Sequence, residues 1–169
     1  LVGNRRQEAL VLKDIGNVYS RPQNPDVDYS KAIESYEKAL QISREIGFRN
    51  CEAAALCDLG IVHTKRREGL EAIQCLEPAL RIFEDIDDQR NELIALEALA
   101  AAHGMHAQKE ASWRDLRART ECLKYSERAR DLRKELGISS YDVWNPNTDR
   151  FYSYFYKILD FPWMKIFLM

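Results

Sequence analysis

The amino-acid sequence predicts an all-α protein made of three similar helix pairs, followed by an aromatic-rich C-terminal segment. Only 7 Gly and 5 Pro occur in 169 residues, which is too few for a β-rich chain with many tight turns. Long stretches without either residue carry apolar side chains at helical spacing. One sequence pattern also recurs about every 40 residues, which is typical of stacked helical repeats.

Composition and charge exclude several classes of function. The chain is 46% hydrophobic, so one domain of ordinary size can bury a substantial core. Its 25 Lys and Arg residues nearly balance its 27 Asp and Glu residues, and the net charge is -2. Because binding to a polyanion or to an acidic membrane needs an excess of basic residues, neither nucleic acid nor a membrane is an expected partner.

The cysteines indicate a reducing environment. Four cysteines are widely spaced, none of them in a CxxC pair, in a chain large enough to fold without disulfides. They are Cys51, Cys57, Cys75 and Cys122. We therefore expect free thiols and a cytoplasmic location. The chain opens at Leu1 without a methionine or a signal-like segment, which favours a piece of a larger polypeptide.

The recurring pattern predicts a first and a second helix in each repeat. The first helices share the stretches LKDIGNVY (12–19), LCDLGIVH (56–63) and LEALAAAH (96–103), and the second helices share KAIESYEKALQI (31–42), EAIQCLEPALRI (71–82) and ECLKYSERARDL (121–132). In the first helix of the first repeat, Leu12, Ile15 and Tyr19 have the spacing of a stripe that faces the core.

Small residues recur where the paired helices are expected to cross, since small side chains allow close approach. They are Gly16, Gly60 and Ala100 in the first helices, and Ala32, Ala39, Ala72, Ala79 and Ala129 in the second. Gly16 and Gly60 are 44 positions apart, whereas Gly60 and Ala100 are 40 apart. The repeats are thus bounded near 6–47, 49–87 and 89–137.

Two insertions and two glycines mark the ends of the helices. The four extra residues of the first repeat fall at 21–26, where two prolines favour a loop. The ten extra residues of the third repeat fall at 104–120, which contains helix formers and no proline, so we expect the last helix to be longer by about three turns, with a loop as the alternative. Gly47 and Gly137 follow second helices and are predicted C-caps.

The middle repeat resembles the tetratricopeptide repeat family, in its longer version of about 40 residues per repeat. The matching positions are Leu56, Leu59, Gly60, His63, Ala72, Leu76 and Ala79. His63 stands where the family usually has an aromatic residue, and Ala100 replaces the glycine in the third repeat. The resemblance implies a right-handed α-solenoid of three helix pairs.

The resemblance also implies a protein-interaction module that holds a peptide or a helix of a partner in a concave groove lined by the first helices. Taking the fifth and ninth pattern positions as groove-facing gives Lys13, Asn17, Cys57, Ile61, Glu97 and Ala101. A subset of the family binds C-terminal carboxylates with Lys, Asn and Arg at such positions, but Ile61, Glu97 and Ala101 do not fit that chemistry. The small, apolar groove instead favours an apolar helix or an aromatic-bearing peptide. The alternative is that these residues pack against neighbouring helices and form no binding surface.

The C-terminal segment, residues 138–169, contains 10 of the 17 aromatic residues. Phe151 and Phe155 lie at helical spacing after a helix start at 147–149, and Trp163 follows Pro162. This segment is expected to cap the last repeat or to serve for self-association or partner binding, because exposed rings favour docking. A third alternative is a segment that lies on a membrane surface, since MKIFLM (164–169) is far too short to span a bilayer.

No pattern in the sequence indicates catalysis or a cofactor. His103 and His106 are spaced like two metal ligands that Glu110 could join, yet His63 and His103 occupy equivalent repeat positions, which favours packing. We therefore expect neither an enzyme nor a resident metal. The rival to a binding module is a regulatory or sensor domain that relays ligand or peptide binding to an adjacent effector domain of a larger protein.

Overall fold

The computed structural model describes residues 2–21, 27–109 and 116–138. These residues form six helices and no strand, so the all-α prediction is confirmed for them. The helices are α1 (Val2–Ser20), α2 (Tyr29–Glu45), α3 (Arg49–Lys65), α4 (Gly69–Asp85), α5 (Gln89–Lys109) and α6 (Leu116–Glu135).

Consecutive helices pack as antiparallel pairs, α1 with α2, α3 with α4 and α5 with α6. The glycines at the predicted crossings allow the two helices of a pair to approach each other closely. A Cβ atom on Gly16 would lie 2.5 Å from Cε1 of Tyr36, and one on Gly60 would lie 2.4 Å from Cγ of Leu76. Neither position has room for a side chain, so the predicted role of these two glycines is confirmed.

The pairs stack through second helices, with α2 against α3 and α4 against α5, and α3 also touches α1 and α5 directly. One continuous core runs through the stack. Its largest fully buried apolar side chains are Tyr36, Leu76, Phe83, Leu96, Leu99 and Val62. Because every pair contributes to the same core, no pair could bury its apolar face alone.

The helix ends follow local sequence signals. The side chain of Asp28 accepts hydrogen bonds from the backbone N–H groups of Ser30 and Lys31, which caps the start of α2. Gly47 and Gly137 have φ of +67° and +64°, so their predicted role in ending helices is confirmed. Asp87 holds the same place after α4 with φ of 55°, a conformation that costs a residue with a side chain more than it costs glycine.

The two insertions agree with the structure where it describes them. Helix α1 ends at Ser20 and α2 begins at Tyr29, so the predicted loop lies between them, although residues 22–26 fall outside the described part. Helix α5 has 21 residues, against 17 in α3 and in α4. Helix α5 is thus four residues longer than α3 and α4, and because residues 110–115 lie outside the described part, the lengthening of the last helix and its alternative, a loop, remain predictions.

The predicted core-facing stripe of α1 is wrong for Ile15. Leu12 and Tyr19 pack against the core, but Ile15 is 40% exposed. Its counterpart Leu59 in α3 is only 4% exposed. The difference arises because α2 covers that side of α3, whereas no described residue covers that side of α1.

The aromatic segment lies almost wholly outside the described residues. Of 138–169, only Ile138 is described, so the expectations for Phe151, Phe155 and Trp163 remain predictions. Across the described ranges, none of the helices combines the length and the apolar character needed to cross a membrane.

Candidate functional site along the first helices

Helices α1 and α3 run side by side in the same direction, and their polar residues meet between them. The ammonium group of Lys65 donates a hydrogen bond to the backbone carbonyl of Ser20 at 3.3 Å, near the C-terminal ends of the two helices. One or two turns earlier, Asp58 of α3 lies within electrostatic reach of Lys13 and Asp14 of α1. A small polar surface, formed by Lys13, Asn17, Asp58 and Lys65, therefore joins the two helices.

Asp58 is the least satisfied group of this polar surface. Its side chain is partly buried between the helices, and it accepts no hydrogen bond from the residues that the structure describes. Enclosure raises the pKa of its carboxyl group to about 6, with Asp14 adding to the rise while Lys13 and Lys65 oppose it. A partly buried carboxylate with unused acceptor positions can accept a hydrogen bond from a ligand in place of water.

Asn17 is held in place by buried groups of its own helix pair. The hydroxyl group of Tyr36 donates a hydrogen bond of 2.8 Å to Oδ1 of Asn17, and it lies 3.0 Å from Oγ of Ser20. Burial raises the pKa of Tyr36 well above its usual value, so the phenol remains a donor at physiological pH. The amide group of Asn17 reaches Asp14 only at 3.5 Å, the outer limit of a hydrogen bond, and it is the better donor for an incoming group.

Lys13 is more restrained than a typical surface lysine. Its ammonium group lies 3.2 Å from Oδ1 of Asp14, and its side chain is only 19% exposed. It contributes positive charge beside the Asp58 carboxylate without forming a hydrogen bond to it. The polar surface thus places the Asp58 carboxylate near two ammonium groups, those of Lys13 and Lys65, which suits a peptide that carries both donors and acceptors.

Two of the predicted groove residues of α3 differ in their accessibility. Cys57 is 5% exposed, and burial raises the pKa of its thiol far above the usual value. Such a thiol is a packing group and not a nucleophile. Ile61 is partly exposed while it packs against the core, so it can offer apolar area one turn beyond Asp58.

On α5 the predicted groove residues are occupied or covered. Glu97 forms an ion pair with Arg133 of α6, and their side chains are 9% and 13% exposed. Ala101 is fully buried. The structure therefore brings Lys13 and Asn17 together with Asp58 and places Ile61 beside them. Cys57 and Ala101 are instead buried packing residues of α3 and α5.

Sequence reasoning did not single out Asp58. It is the only charged residue in the stretch LCDLGIVH, between Cys57 and Leu59, which are both buried. Its counterpart in α1 is the exposed Asp14, and its counterpart in α5 is Ala98. The available signal was a charged residue between two apolar residues of the second repeat, because placing a charge beside buried residues costs free energy unless the charge is paired or hydrogen-bonded.

The histidines do not form a metal centre with their described neighbours. His103 is 8% exposed and stacks on Tyr125 with ring centroids 5.4 Å apart, and burial lowers its pKa. Its Nε2 has no hydrogen-bond partner among the described residues. No group of three or more His, Cys, Asp or Glu side chains in the described ranges is placed to hold a metal ion, and Glu110 lies outside those ranges.

No family model matches the sequence, and no curated protein is similar to it at a significant level.

Proposed function

We propose that this protein is a non-catalytic interaction module that holds a peptide or a helix of a partner protein along α1, α3 and α5. The observation that carries this proposal is the polar surface between α1 and α3, where the partly exposed Asp58 carboxylate accepts no hydrogen bond from the described residues and lies near Lys13 of the neighbouring first helix. Such a carboxylate has acceptor positions at which a donor of the partner can replace water. The free thiols of all four cysteines support the cytoplasmic location that belongs to the proposal.

The packing of the helices supports a concave surface on this side. Helix α3 contacts both α1 and α5, whereas the second helices approach one another far less among the described residues. A stack whose first helices lie closer together curves with these helices on its inner side. This curvature is what a tetratricopeptide-like right-handed solenoid requires, and we include that architecture in the proposal.

The polar surface and Ile61 together define what the partner would present. Asp58 would accept a hydrogen bond from a backbone N–H or from a cationic side chain, and the Asn17 amide would donate to a backbone carbonyl. Ile61 would pack against an apolar side chain one turn further along α3. We therefore propose a peptide segment that alternates a hydrogen-bonding or basic residue with an apolar one.

The test is a selection of peptides from a displayed random library on the immobilised 169-residue chain, followed by affinity measurements on variants. Asp58→Asn keeps the shape of the side chain and removes its charge, and Ile61→Ala removes apolar area. We expect each variant to bind the selected peptides at least about tenfold more weakly, which is the size of effect that loss of one buried charged hydrogen bond produces.

Arg81→Ala is the matched control, since Arg81 is exposed on α4 and away from the first helices. Circular dichroism and thermal melting of each variant would show that the helices remain folded. If the selected peptides bind Asp58→Asn, Ile61→Ala and Arg81→Ala with the same affinity as the parent chain, the first helices do not form the binding surface and the proposal is wrong.

A further inference from the structure

Helix α1 exposes an apolar stripe that its counterparts bury. Val11, Ile15 and Val18, here called the α1 stripe, are 48%, 40% and 55% exposed. The residues 44 positions later in α3 are Ala55, Leu59 and Val62, which are 0%, 4% and 1% exposed. The residues a further 40 positions on in α5 are Ala95, Leu99 and Ala102, and all three are fully buried.

The cause of this difference can be located. Both α1 and α3 pack against the second helix of their own pair and against the first helix of the next pair. Helix α3 has in addition the preceding helix α2 on its other side. The α1 stripe is therefore the surface on which a helix in the position of α2 would lie, and its three apolar residues have the i, i+4, i+7 spacing that one helix can cover.

The charge at the end of the stripe repeats as well. Glu8, Glu52 and Glu92 occupy equivalent positions in α1, α3 and α5. Glu52 accepts a hydrogen bond of 3.2 Å from Nε of Arg44, which lies near the C-terminal end of α2, and its side chain is 13% exposed. Glu52 also pairs with Arg49 of its own helix, as Glu8 does with Arg5, but Glu8 remains 49% exposed. In the third repeat Glu92 pairs with Arg128 of α6, and α4 carries Glu84 at the position of Arg44, so the covering arginine is seen at α3 alone among the described helices. The helix that covers α3 thus supplies a basic residue that α1 lacks from any covering helix.

We propose that the α1 stripe binds an amphipathic helix from a further helix pair of this repeat type, stacked ahead of α1 as α2 is stacked on α3. Its apolar face lies on Val11, Ile15 and Val18, and a basic residue near its C-terminal end pairs with Glu8. This interaction is separate from the polar surface between α1 and α3, because it uses the opposite side of α1.

The far end of the stack argues against a second copy of this chain as the occupant. Leu40 of α2 and Leu80 of α4 are buried apolar residues at equivalent positions. The alignment of Ala79 with Ala129 places Arg130 at the same position in α6, and Arg130 is exposed. End-to-end stacking of two copies would set this guanidinium group against the α1 stripe, which is unfavourable for an apolar contact.

The probe for the experiment is the sequence of residues 28–47, synthesised with a fluorescent label and a hydrocarbon staple that keeps it helical. It contains α2, the helix that covers the equivalent surface of α3. Fluorescence anisotropy would measure its binding to the 169-residue chain. We expect saturable binding that weakens at least tenfold for Ile15→Asp, while Ile94→Asp leaves it unchanged. Ile94 is the matched control because it is 42% exposed, nearly the same as Ile15, and lies on α5.

A charge exchange tests the role of Glu8. A probe with Arg44→Glu should bind the parent chain several-fold more weakly, and it should recover its affinity on a Glu8→Arg chain. The proposal fails if the probe does not bind saturably, or if Ile15→Asp and Ile94→Asp have equal effects. It also fails if sedimentation velocity shows a dimer of the parent chain that Ile15→Asp dissociates, since the occupant would then be a second copy.

Discussion

Helices α1 and α3 carry the same repeat pattern, but they are packed against different numbers of neighbouring helices. Gly16 and Gly60 each lie against a large side chain of the paired helix. The adjacent residues Ile15 and Leu59 differ sharply, with exposed fractions of 40% and 4%. The comparison shows that the pattern fixes how a helix meets its own partner, whereas the neighbouring pairs decide how much of its remaining surface is buried.

The largest expected effect comes from truncating the two equivalent apolar residues. Leu59→Ala should lower the free energy of unfolding by about 2–5 kcal/mol, because it removes buried methyl groups and leaves a cavity. Ile15→Ala should lower it by only about 1 kcal/mol, because 40% of the residue is already exposed to water. Urea denaturation followed by circular dichroism measures both. Equal losses would mean that α1 is covered in solution.

The second effect concerns the glycines at the helix crossings. Gly60→Ala places a Cβ atom 2.4 Å from Cγ of Leu76, so we expect a net loss of about 1–2 kcal/mol after the gain in helix propensity. Gly16→Ala meets the Tyr36 ring at 2.5 Å, but α1 can shift outward, and the loss should be smaller. Thermal melting gives both values. Adding Leu76→Ala to Gly60→Ala should make the alanine at position 60 less costly than it is alone, and an unchanged cost would contradict the steric explanation.

The third effect is a pH dependence that separates Asp58 from Asp14. The pKa of Asp58 is raised to about 6 in the folded chain, so between about pH 4 and 6 the folded state binds more protons than the unfolded state. The contribution of Asp58 to stability is therefore largest below pH 4 and falls as the pH rises through 6. Asp58→Asn should raise the free energy of unfolding at pH 7 by about 1 kcal/mol, a value reduced for the partial exposure of the carboxylate.

Asp14→Asn provides the comparison, since the charge of Asp14 adds to the raised pKa of Asp58, and its replacement should weaken the pH dependence of stability without removing it. Denaturation of both variants and of the parent chain between pH 4 and 8 would show the difference. A profile of Asp58→Asn that runs parallel to that of the parent chain would mean that Asp58 is solvated in solution.

The smallest effect lies at the ends of the first two pairs. Asp87 ends the second pair with φ of 55°, where Gly47 ends the first with φ of +67°. Asp87→Gly should raise stability by about 0.5 kcal/mol by relieving this backbone strain, and Gly47→Ala should lower it by about 1 kcal/mol. Differential scanning calorimetry of the two variants checks the opposite signs. A loss for Asp87→Gly would indicate that the Asp87 side chain stabilises the turn.

Much of the fold could be predicted from single residues and their spacing. Gly16 and Gly60 marked the helix crossings, and Gly47 and Gly137 marked helix ends, because both roles depend on local sterics that the residue type reveals. The candidate site was only partly accessible to such reasoning. Lys13 and Asn17 were predicted to face a groove and do lie beside Asp58. The environment of Asp58 itself depends on residues of α1 that are about 44 positions away in the sequence.

The amino-acid sequence by itself determined the six helices, their pairing and the places where the paired helices touch, because helical spacing and side-chain size act over a few residues. The tertiary structure alone decided which apolar residues are buried, that Glu97 is paired with Arg133, and that Ile15 remains 40% exposed. These outcomes depend on which helix lies on each side, and stacking of one pair on the next joins residues far apart in the chain.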